Sequence, residues 1–251
     1  MPLLLEGRRA LITGAGRGIG VEIARALAGE GAAVTLAYHS SRDGAERVVD
    51  EIREGGGVAF AVGGDARVEA DAVCVVAESV SSMGGLDIVV NNAAGFGPLL
   101  PFTEMAWGEI DAEWNAVVRP VYEITRAALP VLLAQGFGKI VNIAASLVER
   151  PAPGYGAHTM AKAAVLAFTQ TLAREVGPRG ITVNAVSPGV TMTEFSKTLP
   201  EELKASLIRQ TPLRRLAEPA DVARAVLFFC SPWSDFVTGA HLIPDGGLVT
   251  L

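Results

Sequence analysis

Cysteine is scarce in this chain, and so are the features that mark a membrane or nucleic-acid partner. Among 251 residues there are two cysteines, Cys74 and Cys230. Both fall in apolar helical patterns, so they are expected as reduced core side chains of a cytoplasmic protein rather than a disulfide framework. No apolar run is long enough to cross a bilayer. Residues 1–5 are apolar, but Glu6, Arg8 and Arg9 follow at once, so no secretory signal is expected. The net charge of −6 gives a nucleic-acid partner no electrostatic support. No repeat, low-complexity tail or dividing linker is visible, and no metal site is expected.

What is present suits a buried parallel sheet. Half the residues are hydrophobic and 28 are glycine. The length is enough for one α/β domain over residues 1–251. Residues 9–13 predict a first strand. Gly14-Ala-Gly-Arg-Gly-Ile-Gly20 follows, then the amphipathic run 21–27. Strand, glycine turn and helix are the parts of a dinucleotide-binding unit, in which backbone amides approach phosphate. Residues 32–38 predict the second strand. Its end carries Tyr38-His39-Ser40-Ser41-Arg42, with no acidic residue to repel a 2′-phosphate. With Arg17 nearby, these groups favour NADP(H) over NADH.

The pattern continues with a helix at 45–54, a strand at 58–63, a helix at 69–82 and a strand at 86–90. Two helical patterns then run from 103 to 114 and on to 134, with Pro120 placed to kink them. A buried strand is predicted at 140–144, a Pro/Gly-rich loop at 151–154, and a helix carrying Lys162. A strand at 180–186, a helix at 201–210, another at 218–230 and a strand at 240–243 complete the reading. Tyr155 and Lys162 have six residues between them, and His158 lies four before the lysine.

These motifs, in this order, resemble the short-chain dehydrogenase/reductase family over almost the whole chain. The resemblance implies a Rossmann-type, doubly wound parallel sheet of about seven strands, and a homodimer or homotetramer. For the cofactor it implies Gly14, Arg17, Gly18, Ile19 and Gly20 at the phosphates. His39, Ser40, Ser41 and Arg42 would stand at the ribose, and Asp65 and Ala66 at the adenine. Asn92, Ala93 and Ala94 match the family turn after the fourth strand. Pro188, Gly189, Thr191 and Thr193 match the segment at the nicotinamide. Lys162 would hold the ribose hydroxyls.

Three of the four usual catalytic positions depart from the family pattern. The Tyr, Ser and Asn places hold His158, Ala145 and Val117. The Tyr155–Lys162 spacing instead resembles the enoyl-acyl-carrier-protein reductases, in which charge gathers on an enolate oxygen further from the nicotinamide. On that reading the chain reduces an enoyl thioester with NADPH, and Tyr155 gives the proton or steadies the enolate. Ser146 falls where some of those enzymes carry a second tyrosine. An alternative is a carbonyl reductase or alcohol dehydrogenase with a rearranged site using Tyr155, His158 or Ser146. Histidine is a residue type suited to proton exchange, and His158 otherwise reads as a polar helix residue. Tyr155 also reads as a plain loop tyrosine. A further alternative is a family member that keeps the nucleotide without hydride transfer. Residues from about 190 to 215 read as a substrate lid, in which Phe195, Leu199, Leu203 and Leu207 cover an acyl chain or form an ordinary buried stripe.

Overall fold

Val, Ile, Leu and Ala fill the strands with little polar alternation, the pattern of a parallel sheet covered on both faces. The computed structural model describes residues 3–250, except the side chain of Phe195. It contains β1 (Arg9–Thr13), β2 (Ala33–Tyr38), β3 (Ala59–Gly63), β4 (Ile88–Asn91), β5 (Gly138–Ile143), β6 (Ile181–Val186) and β7 (His241–Leu242). All pair in parallel in the order β3-β2-β1-β4-β5-β6-β7. The order reverses between β1 and β4, which opens a crevice at the carboxyl ends of those strands.

The helices are α1 (Gly18–Gly29), α2 (Arg42–Glu54), α3 (Glu69–Met83), α4 (Trp107–Gln135), α5 (Gly156–Val176), α6 (Glu194–Lys197), α7 (Glu201–Gln210) and α8 (Pro219–Cys230). One face of the sheet is covered by α1, α2 and α8 through Ile23, Leu27, Val48, Val226 and Phe229. The other is covered by α3, α4 and α5 through Val75, Ile124, Leu132 and Leu172. Burying each such side chain contributes roughly 1.5–3 kcal/mol. Asn91 and Asn142 are opposite one another in β4 and β5. Asn91 Nδ2 donates to Asn142 Oδ1 at 2.8 Å and to Thr125 Oγ1 at 2.9 Å, and Asn142 Nδ2 donates to Thr169 Oγ1 at 2.9 Å. This buried chain pins α4 and α5 to the middle of the sheet.

Three expectations change. Cys74 is exposed, because α3 buries Ala72, Val75, Val76 and Ser79 and turns residue 74 outward. Cys230 is buried, and desolvation pushes its thiol up to about 12. The two helical patterns between 103 and 134 are one 29-residue helix, α4, which runs through Pro120 and Pro130. Proline 120 lacks an N–H, so the carbonyl of Ala116 has no partner from that position; it accepts from the Gly95 amide at 3.1 Å. The proline therefore frees an acceptor that holds the turn after β4. Finally, α7 has no fully buried residue and Leu203 is exposed. Its apolar residues are not an ordinary buried stripe.

Candidate active site

The glycine loop leads from β1 straight into α1, and Arg17, the residue just before the helix, makes no side-chain cap. The first amides of α1 are therefore available to an anion. Gly18 has φ +58°, a left-handed conformation that other residues adopt at a cost. A side chain on Gly20 would run into the carbonyl of Gly14, so this glycine serves the packing of loop on helix. Thr13 Oγ1 accepts from the amides of Asn92 and Ala93, each at 3.0 Å, and Asn92 Nδ2 donates to the carbonyls of Thr13 and Gly14. The side chain of Asn92 thus ties the two turns together.

Between these turns lies a cleft of about 600 Å³. Its walls include Gly14, Arg17, Gly18, Ile19, His39, Ser40, Ser41, Asp65, Ala66, Asn92, Ala93, Ala94 and Thr193 from the sequence reading. Gly20, Arg42, Lys162, Pro188, Gly189 and Thr191 line no part of it. Arg42 starts α2 and is bound to Glu46 at 2.7 Å. Pro188 accepts from the Ser146 amide at 3.0 Å, and Thr191 Oγ1 donates to the carbonyl of Gly189 at 3.0 Å. Arg67, which the sequence reading missed, does line the cleft. It forms a bidentate pair with Asp65 and holds that carboxyl down at about 2. Open amides, a glycine cradle and cations around a crevice at the strand reversal fit a dinucleotide.

Tyr155, His158 and Lys162 lie along one side of the start of α5, at i, i+3 and i+7. Lys162 is buried, and its Nζ donates to the carbonyl of Ile143 at 2.8 Å. Burial lowers its ammonium to about 8, and Glu113 works against that shift. His158 Nδ1 is 2.5 Å from Oε1 of Glu113 on α4. Oε2 of the same carboxyl accepts from the Gly97 amide at 2.8 Å. Burial opposes ionisation of Glu113, but the bonds from His158 and Gly97 prevail, and its pKa is below the ordinary range. Phe96 meets the His158 ring at 4.7 Å and the Tyr155 ring at 5.8 Å, and reaches the large cleft as well. Tyr155, His158, Glu113 and Glu109 also line a small cavity of about 10 Å³. Ser146 is buried at the start of a 3-10 turn and lines neither space.

Glu113 escaped the sequence reading, although one signal was present. It lies in the stripe of Val117, Val121 and Ile124, which α4 buries, and a carboxylate in such a stripe needs a partner. Among the described residues there is no cluster suited to a metal ion, and no helix is long and apolar enough to cross a membrane.

A reversing parallel sheet with a glycine cradle at its crevice defines a nucleotide-binding protein of the Rossmann class. Comparison with known proteins makes the assignment narrower: the chain belongs to the short-chain dehydrogenase/reductase family. Residues 14–249 match the family model described as "Enoyl-(Acyl carrier protein) reductase". The chain is 36% identical over 244 residues to 3-oxoacyl-(acyl-carrier-protein) reductase FabG of Staphylococcus epidermidis, covering 96% of this chain and 98% of that protein. It is 35% identical over 246 residues to 7alpha-hydroxysteroid dehydrogenase of Escherichia coli, covering 98% and 95%. A solved 7alpha-hydroxysteroid dehydrogenase, complexed with NADH and 7-oxo glycochenodeoxycholic acid, superposes with a TM-score of 0.93 at 35% identity, covering 98% and 96%. These relatives bear names of oxo reduction and hydroxyl oxidation, so they favour the carbonyl alternative over the enoyl reading.

Proposed function

We propose that this chain is an NADP(H)-dependent carbonyl reductase or alcohol dehydrogenase with a rearranged proton donor. The observation that carries the reading is His158, one helical turn before Lys162, lining the small cavity with its ring against Phe96, which also reaches the cleft. When bound, the nicotinamide supplies the hydride in reduction, or accepts it in oxidation. Lys162 binds the ribose hydroxyls, and its ammonium favours the negative charge that develops on the carbonyl oxygen. His158 gives that oxygen its proton. Phe96 keeps water from the reacting groups.

The absence of a carboxylate at the end of β2 supports NADP(H), as do Arg17 and Arg67 on the cleft wall with Ser40 and Ser41. Arg67 shares its charge with Asp65, so Arg17 is the main phosphate ligand. Leu99 and Leu203 are exposed, and with the segment 190–215 acting as a lid they suit an apolar substrate, free or carrier-bound. Trp107, Trp114 and Tyr122 are exposed on α4 and suit self-association.

Enoyl reduction with Tyr155 as donor is the second reading. The six-residue spacing to Lys162 favours it, as does the description of the matched family model. The two are separated by oxidation of reduced cofactor with a 3-oxoacyl thioester, a ketosteroid and a crotonyl thioester. Ketone turnover that is lost in His158→Gln and kept in Tyr155→Phe is expected. Turnover of the crotonyl thioester alone, lost in Tyr155→Phe, would replace the carbonyl reading with the enoyl one.

A further inference from the structure

We infer that Glu113 is a positioning residue that holds His158 as the Nδ1–H form and leaves Nε2 to exchange the proton with substrate. The inference rests on His158 as the proton donor of the reading above.

The argument begins with acceptor capacity. An ionised carboxylate accepts hydrogen bonds and donates none. Glu113 uses both oxygens: Oε2 takes the Gly97 amide at 2.8 Å, and Oε1 faces His158 Nδ1 at 2.5 Å. Nδ1 must therefore carry the hydrogen of that contact. Nε2 has no hydrogen-bond partner among the described residues. Both side chains are enclosed, with 12% of His158 and 3% of Glu113 exposed, so the pair is poorly screened. The Phe96 ring fixes the imidazole from one side.

The arrangement compensates for what the chain lacks. Val117 occupies the position one turn further along α4, and its side chain has no polar group. Glu113 brings a charged group to α5 from the preceding turn. In reduction, the hydride forms a C–H bond as the carbonyl π pair moves to oxygen. The oxygen takes the proton from Nε2 of the imidazolium. His158 is left neutral with Nδ1–H still on Glu113, and solvent restores the Nε2 proton. The ionisable groups that share the small cavity with the imidazole are Glu113 and Glu109 from α4 and Tyr155 just before α5, and the Lys162 ammonium acts on Glu113 from α5.

Glu113→Gln separates this role from simple packing. The amide has one oxygen for two donors, so either Gly97 or His158 loses its acceptor. With the Gln oxygen on Gly97, its NH2 faces Nδ1 and favours the Nε2–H form. Long-range nitrogen–proton NMR of histidine-labelled protein reads this directly, with His158→Gln used to assign the signals. The expected result is Nδ1–H in the wild type and a shift toward Nε2–H in Glu113→Gln. With a ketone substrate, Glu113→Gln is expected to lower kcat about 100-fold, with cofactor KM within about twofold. In a His158→Gln background the same change is expected to add almost nothing.

A neutral wild-type imidazole with its hydrogen on Nε2 would overturn the inference, whether or not a substrate is known. So would a His158→Gln defect without a matching defect in Glu113→Gln, or equal effects of Glu113→Gln in both backgrounds. Full ketone turnover by His158→Gln is a different failure: it would remove the proton-donor reading on which the inference rests.

Discussion

Lys162 Nζ donates to the main-chain oxygen of Ile143 at 2.8 Å, joining the second turn of α5 to the last residue of β5. The contact holds an ammonium in a place where burial lowers it from 10.5 to about 8. Below about 8 the folded and unfolded chains both carry the proton, and folding bears the full cost of the buried charge. Between about 8 and 10.5 the unfolded chain binds more protons, so stability rises with pH. The rise is on the order of 3 kcal/mol. Urea unfolding of the cofactor-free protein across that range is expected to show it in the wild type and not in Lys162→Met. Parallel curves for the two proteins would contradict the shift.

Pro120 leaves the Ala116 carbonyl to the Gly95 amide. Pro120→Ala supplies an N–H that competes for that oxygen. Amide hydrogen exchange at Gly95 is expected to quicken about tenfold, which corresponds to ~1.4 kcal/mol of lost local protection. Cofactor KM is expected to rise, because the turn at 92–95 is a wall of the cleft. Unchanged exchange at Gly95 would show that the proline has no part in holding the turn.

Asn142 is the shared member of the buried polar chain, bound to both Asn91 and Thr169. Asn142→Ala removes two hydrogen bonds and leaves a void under α5. The expected loss is about 2–4 kcal/mol in urea unfolding. A change below about 0.5 kcal/mol would mean that the neighbours re-pair.

The two arginines on the cleft wall make a prediction about the cofactor. Arg17→Ala is expected to weaken NADPH binding about tenfold, roughly 1.4 kcal/mol, and to leave NADH within about twofold. Arg67→Ala is expected to have a smaller effect in the same direction, because Asp65 already claims part of its charge. Titration of both cofactors by fluorescence tests this. An equal loss for both would move the arginines away from the 2′-phosphate.

Much of this architecture could be read from local pattern. β1 spans the expected residues 9–13, and α7 spans the expected 201–210, because period and turn residues agree there. The site was less legible because its pairings are tertiary. Glu113 and His158 are 45 residues apart and meet only when α4 packs on α5. Arg67 reaches the cleft because the chain turns back after β3, which no short motif records. Cys74 was misplaced by a single step of helical phase: its neighbours Val75 and Val76 are buried while it faces out. The long α4 was divided because an interior proline ordinarily breaks a helix, while here the structure carries the helix through it and uses the released carbonyl.

The most direct test of carbonyl chemistry at His158 follows the hydride itself. Reduced cofactor with deuterium at the transferable position would be supplied with a substrate holding both a ketone and a conjugated double bond, and the product read by NMR. Deuterium on the carbinol carbon, lost along with turnover in His158→Gln, is the expected result. Deuterium on the β-carbon with the carbonyl intact, and unchanged turnover in His158→Gln, would contradict the account and give the proton-donor role to Tyr155.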